Sequence, residues 1–206
     1  MSKYTWLLDP GHGGMINGKY QTAGKRSPNW KDGYQQLFEG EFNRAIVARL
    51  KEMCNQSNIK YVDMCPTDAD IRLKTRVDAA NALHNKGEKC IYLSIHSNAG
   101  GGKGFEVFTS RGKTGSDKIA TIFLNSFKST FAHDENIRFR TDFSDGDPDK
   151  EANFYVLKQT RMWAILTENL FMDNQYECKR YLLTKEGRDL IAQAHFKAMI
   201  EIETGV

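Results

Sequence analysis

The chain lacks any long uncharged apolar run, so nothing in it approaches the ~20 apolar residues needed to cross a bilayer. Runs of lysine or arginine are missing too. With 29 basic and 26 acidic residues the net charge is only +3. No nucleic-acid-binding arm is encoded, and charge supplies at most a weak pull on anionic polymers. Cysteine is sparse: Cys54, Cys65, Cys90 and Cys178 stand far apart with no C-x-x-C pair. That excludes a zinc knuckle, and with Cys90 inside an apolar run it predicts reduced structural thiols. Met1-Ser2-Lys3 leads straight into an apolar segment without a charged-then-apolar leader, so a cytoplasmic site of synthesis with no signal peptide is expected. Gly100 to Gly104 (Gly-Gly-Gly-Lys-Gly) lacks the Ser or Thr a phosphate loop needs after its lysine. The acidic stretch around Asp145-Gly146-Asp147-Pro148-Asp149 lacks the mid-loop glycine and closing glutamate of an EF-hand. No H-E-x-x-H zinc helix, internal repeat or linker is found, and 206 residues with 40% hydrophobic content predict one domain spanning 1–206.

What is present is a repeated arrangement. Tyr4 to Leu8 is an unbroken apolar run that stops at Asp9-Pro10-Gly11-His12-Gly13-Gly14. Cys90 to Ile95 is a second, ending at His96-Ser97-Asn98, and Trp163 to Leu166 is a third, ending at Thr167-Glu168-Asn169. Runs without polar alternation suit strands buried on both faces of a parallel sheet. In such sheets ligands gather outside the carboxyl ends of the strands. Three strands thus deliver His12, His96 and Glu168 to one edge.

Helices fill the intervals. Glu39 to Cys54 carries an inward stripe of Phe42, Ile46, Leu50 and Met53, and Glu39 falls on that stripe. A carboxylate there is costly unless paired or metal-bound, although a place in the first turn also favours an acid through the helix dipole. Residues 71 to 81 read as a helix with Leu73, Val77 and Ala80 inward, and Arg76 reads as a face charge. Ser116 to Phe131 and Lys185 to Glu203 are amphipathic, with His84 and His195 read as ordinary helix histidines. Two long loops remain, 15–38 and 134–152. The first is either a surface excursion or one wall of a substrate groove with Trp30 and Tyr34 as stacking surfaces. The expectation is an α/β chain, a single-domain twisted mainly parallel sheet with helices on both faces.

His12, Glu39 and His96 form a set of two histidines and one carboxylate that suits Zn2+ with a position left open for water, and Glu168 would stand beside it for proton transfer. The residues also resemble a family. Leu8-Asp9-Pro10-Gly11-His12-Gly13-Gly14, Glu39-x-x-x-Asn43, Leu73-x-x-Arg76-x-x-x-Ala80-Asn81 and Ser94-Ile95-His96-Ser97-Asn98-Ala99 come in order. Gly104-x-Glu106-Val107-Phe108, Ala152 to Leu157, and Thr167 to Asn174 follow. Together they resemble the type 3 zinc-dependent N-acetylmuramoyl-L-alanine amidases, which cut peptidoglycan between sugar and stem peptide.

With no linker or second module found, a single catalytic amidase domain without a separate wall-binding module is expected. The resemblance implies Zn2+ on His12, Glu39 and His96, Glu168 as catalytic glutamate, and peptidoglycan as partner. Asn98, Arg76, Trp30 and Tyr34 are the candidate substrate contacts. A compact phage lysin, released to the wall when a holin opens the membrane, is the expected setting, and a trimmed autolysin would look the same. A zinc peptidase cutting within the stem peptide and a non-catalytic wall-binding module are the alternatives. The family pattern has a glycine where Leu170 stands, before Phe171.

Overall fold

A computed structural model describes residues 2–205. The elements in chain order are β1 (Thr5–Pro10), a small hairpin of β2 (Met15–Ile16) and β3 (Lys19–Tyr20), α1 (Glu39–Gln56), β4 (Lys60–Asp63), α2 (Leu73–Asn85), β5 (Cys90–Asn98), β6 (Glu106–Thr109), α3 (Ser116–Thr130), β7 (Lys150–Glu151), α4 (Tyr155–Gln159), β8 (Trp163–Phe171), α5 (Gln175–Glu177), a π-helical turn (Cys178–Leu182) and α6 (Lys185–Thr204). Six strands form one sheet in the order β4-β1-β5-β8-β6-β7. All neighbours run parallel except β6 and β8. The expected mainly parallel sheet is therefore present, with one antiparallel pairing. Among the described residues no helix is long and apolar enough to cross a membrane.

Side chains alternate across a strand with a period of two, and this assigns each strand residue to a face. Trp6 and Leu8 of β1, Ile91, Leu93 and Ile95 of β5, and Ile165 of β8 join a large core with α1, α3 and α6. Leu7, Tyr92, Ala164 and Leu166 point the other way and pack with Val77 and Ala80 of α2 and Val156 and Leu157 of α4. Both faces are thus covered by helices. Continuing the alternation, Asp9, Ser94, His96 and Glu168 all fall on the α2–α4 face near the carboxyl edge. The three strands extend further than their apolar runs suggest, because β5 runs through His96 to Asn98 and β8 through Glu168 to Phe171.

Several local expectations change. Leu73 opens α2 half-exposed instead of pointing inward. It is the first helical residue, at the end of α2 that borders the cleft. The loop 15–38 holds the small β2–β3 hairpin, and the 134–152 segment ends in β7, which pairs with β6 at the sheet edge. The four cysteines are free and buried, as expected for structural thiols.

Candidate active site

The site is assembled from the ends of β1 and β5 and the start of α1. His12 follows β1 with φ +65, a left-handed backbone that non-glycine residues adopt with strain. That turn swings its ring back toward the sheet. The neighbouring Gly11 cannot carry a side chain, because a Cβ there would sit 2.1 Å from the His96 ring. His12 and His96 meet edge to face with ring centres 4.9 Å apart.

Glu39 closes the set from the first turn of α1. Its Oε1 lies 3.2 Å from His12 Nε2 and 3.0 Å from His96 Nδ1, and it accepts from the Ser97 N–H at 3.3 Å. The carboxylate is almost wholly buried. Burial works against its charge, yet the two histidines hold Glu39 well below the usual carboxylate range. The same contact raises His96 against the opposing effect of its own burial. The helix-dipole and the ligand readings of Glu39 thus coincide: the N-terminus of α1 favours the charge and the histidines use it.

Glu39 Oε2 is buried with no hydrogen-bond partner, and His12 Nε2, although 3.2 Å from Glu39 Oε1, makes no well-formed hydrogen bond. Unsatisfied buried polar atoms are rare. Here they belong to the one group of three metal-competent side chains among the described residues, whose ligand atoms lie within 4.8 Å of one another. Two imidazoles and a carboxylate are the donor set of catalytic zinc sites that keep a fourth position open. The residues therefore fit a zinc ion.

Glu168 stands beside this set. In the parallel β5–β8 pairing it lies opposite His96, and in the antiparallel β6–β8 pairing it lies opposite Glu106. Burial pushes its carboxyl up to about 7, with Glu39 and Glu106 adding to the rise and His96 opposing it. Its Oε2 has no partner. A carboxyl poised near neutrality, with a free oxygen, is suited to proton transfer.

The cleft in front holds about 230 Å³ and is lined by Asp9, His12, Lys25, Leu73, Ser94, His96, Phe154, Tyr155, Val156, Leu166 and Glu168. Its apolar wall comes from α2 and α4, and its polar floor from the strands. Leu73, Phe154 and Tyr155 were not expected as site residues; their part arises because α2 and α4 border the cleft.

Glu106 was also missed as a site residue. It is buried, takes Arg140 Nε at 2.6 Å and Lys150 Nζ at 2.5 Å, and accepts from the Asn98 amide. Asn98 is therefore held by Glu106 at the strand end and is absent from the cleft wall. Arg76 requires a correction. It is 2% exposed and lies beneath β1, with Nη1 2.8 Å from Asp9 Oδ1 and 3.0 Å from the Pro10 carbonyl. Burial opposes the charge on Asp9, but Arg76 and the Ser94 hydroxyl hold its carboxyl below the usual range. Arg76 is thus neither a face charge nor a substrate contact; it braces the turn that carries His12.

Trp30 and Tyr34 are corrected likewise. They do not line the cleft. Both rings face Lys179 Nζ, which also pairs with Asp32. Tyr34 belongs to a separate pocket of about 530 Å³ with Tyr176, Lys179 and Arg180. Lysine over aromatic faces is a favourable contact, and it draws the loop toward the segment after β8.

His195 is more than an ordinary helix histidine. It is wholly buried on α6, its Nδ1–H donating to the Ile191 carbonyl at 2.9 Å. Its Nε2 therefore accepts, at 3.0 Å, from the Thr167 hydroxyl. Asn169 donates to the His96 carbonyl at 2.9 Å and to Thr167 Oγ1 at 3.2 Å. The strands carrying His96 and Glu168 are thus tied together from behind the cleft.

Residues 7–201 match the family model described as N-acetylmuramoyl-L-alanine amidase. A sporulation-specific N-acetylmuramoyl-L-alanine amidase of Bacillus subtilis is 36% identical over 193 residues, covering 92% of this chain and 64% of the relative. The amidase CwlM of Bacillus licheniformis is 32% identical, covering 84% of this chain and 59% of its own length. The endolysin of Bacillus phage SPP1 is 30% identical, covering 98% and 66%. The chain spans 59 to 66% of the length of these relatives. In fold, it is similar to the crystal structure of an N-acetylmuramoyl-L-alanine amidase from Clostridium difficile 630, with a TM-score of 0.76 at 24% identity and full coverage of both chains.

Proposed function

The chain belongs to the N-acetylmuramoyl-L-alanine amidase family, and from that premise we propose that it hydrolyses the amide between N-acetylmuramic acid and L-alanine in peptidoglycan. The observation that carries this reading is the pairing of a His12–Glu39–His96 set holding unsatisfied ligand atoms with a neutral-range Glu168 on the adjoining strand. One group suits a metal holder and the other a proton carrier, the two parts that metal-assisted amide hydrolysis uses.

His12, Glu39 and His96 would hold the zinc ion. Bound zinc supplies Lewis-acid polarisation of the scissile carbonyl and lowers the pKa of water toward neutrality. Glu168 takes a proton from the attacking water and delivers it to the leaving alanine nitrogen, so the amine departs neutral. Its raised pKa suits both halves, since a weaker acid is a stronger base. Leu73, Phe154 and Tyr155 exclude water on one side of the cleft, while the Asp9–Arg76 pair keeps the His12 turn from moving.

A lytic setting, with a holin opening the way to the wall, rests on the likeness to the phage endolysin. Expression with and without a holin tests it: lysis confined to the pairing supports release through that route, and equal lysis without the holin counts against it.

The activity is tested by digesting purified peptidoglycan and identifying the new chemical ends. New alanine amino termini without new reducing sugar ends, abolished by chelator and restored by zinc, are expected. New amines from within the stem peptide would replace this reading with a peptidase. No release from several wall types by zinc-loaded protein would leave a binding role.

A further inference from the structure

Glu177, in the short α5 that follows β8, is a buried carboxyl group that the proposed mechanism does not use. Its Oε2 accepts the Phe171 N–H at 2.8 Å, and its Oε1 is buried without a hydrogen-bond partner. Asn174 anchors it, the side-chain oxygen accepting the Glu177 N–H at 3.2 Å. Burial pushes the carboxyl up to about 7, against the pull of the Phe171 N–H. An acid is costly in such a place, and an orphaned backbone N–H there would be costly too.

Phe171 closes a stretch in which side chains bond the backbone of both strands. Between the pairs His96–Glu168 and Asn98–Phe171, β8 has one residue more than β5. Within that irregularity Asn169 donates to the His96 carbonyl at 2.9 Å, and the Ser97 hydroxyl donates to the Leu170 carbonyl at 3.3 Å. Glu177 takes the Phe171 N–H, and one residue on the Met172 N–H donates to the Asn98 carbonyl at 2.8 Å. Of the three side chains, Glu177 alone comes from outside the two strands. Two routes lead from Phe171 to the site. Through the backbone, Leu170 meets Ser97, whose N–H donates to Glu39 Oε1 at 3.3 Å. Through the ring, Phe171 packs on Gly102, where a Cβ would sit 2.4 Å away, and the Arg140 guanidinium lies 5.5 Å from the ring centre. Arg140 in turn holds Glu106, the residue opposite Glu168.

We propose that Glu177 is a positioning residue for the reaction: by holding the Phe171 N–H it fixes the end of β8, and with it the placement of Glu168 against the His12–Glu39–His96 set. Its effect on turnover rests on the amidase reading. Its effect on zinc affinity, carried through Ser97 to Glu39, does not.

The test compares Glu177→Leu and Glu177→Gln with wild type as full, zinc-loaded chains acting on a soluble muropeptide, with urea melts to count the folded protein. Leucine offers no acceptor to the Phe171 N–H, whereas glutamine keeps one. Glu177→Leu should lower kcat of the folded fraction about 10–100-fold with KM little changed. It should also raise the Kd for zinc, read by competition with a chelator, about 10-fold. Glu177→Gln should recover most of both. If Glu177→Leu does not fold, Asn174→Ala, which removes only the anchor of Glu177, should move kcat and the zinc Kd in the same direction by less. Lost stability with kcat and zinc Kd unchanged in whichever variant folds would make Glu177 a brace of the fold alone and overturn the proposal. Equal losses in Glu177→Gln and Glu177→Leu would overturn it too, since the acceptor would not be what matters. A wild type that releases no alanine termini would sink the amidase reading, and the zinc Kd of the variants would still decide the positioning role.

Discussion

His96 and Leu170 flank a register shift. β5 advances two residues from His96 to Asn98 while β8 advances three from Glu168 to Phe171. The extra residue is accommodated where Leu170 takes φ +62, a left-handed conformation unusual for leucine. This is a bulge, and bulges re-aim neighbouring side chains. The family resemblance places a glycine at this position, a residue that a positive φ suits. Leu170 is fully buried in the large core, and its packing offsets the strain.

Strain and packing can be separated at that position. Both Leu170→Ala and Leu170→Gly should be destabilised by loss of the buried side chain. Because glycine adopts positive φ without the Cβ penalty, Leu170→Gly should exceed Leu170→Ala by about 1 kcal/mol, reversing the usual order. Urea unfolding of the two variants decides it, and a more stable alanine variant would refute the strain.

Arg76→Met should be strongly destabilised, by about 3–5 kcal/mol, since it leaves Asp9 charged and buried without its partner. In denaturant melts the midpoint should fall accordingly. The folded fraction should keep its KM for muropeptide, because Arg76 does not reach the cleft. A large rise in KM with unchanged stability would return Arg76 to the substrate contacts.

His195 gives a pH signature. Burial holds its imidazole down to about 4, against the ordinary 6.5, with the Ile191 carbonyl opposing the fall. The fold thus favours the neutral ring. Its contribution is fully present above about 6.5 and is lost as pH falls toward 4, where the unfolded chain binds the proton and the folded chain resists it. The loss amounts to roughly 3 kcal/mol across that window. Urea unfolding at several pH values should show this slope in wild type, reduced by that amount in His195→Gln. Parallel slopes would remove His195 from the account.

Much of this was legible in the sequence because the informative residues interrupt apolar runs. A buried strand that ends in His12, His96 or Glu168 announces a polar site, and Glu39 betrays itself by sitting on an inward helical stripe. Glu106 was hidden for the opposite reason: in a short strand beside Val107 and Phe108 an acid at alternate spacing reads as a solvent-facing residue. Its burial depends on Arg140 and Lys150, which are remote in sequence. Arg76 shows the same limit, because helical periodicity cannot distinguish a solvated arginine from one whose guanidinium meets a buried aspartate under another strand. Trp30 and Tyr34 carried the right chemistry for stacking, but the structure places Lys179 against their rings. The roles of Phe154 and Tyr155 follow from where α4 lies over the sheet, which no local pattern encodes.

The central claim is a division of labour: His12, Glu39 and His96 hold the metal, and Glu168 moves the proton. Zinc content and amidase turnover measured on the same preparation of Glu168→Gln test it most directly. The account predicts about one zinc per chain, a melting temperature no lower than wild type, and turnover reduced about 10²–10⁴-fold. Loss of zinc together with activity would make Glu168 a ligand, and near-normal turnover with zinc retained would leave the proton to another group; either result contradicts the assignment.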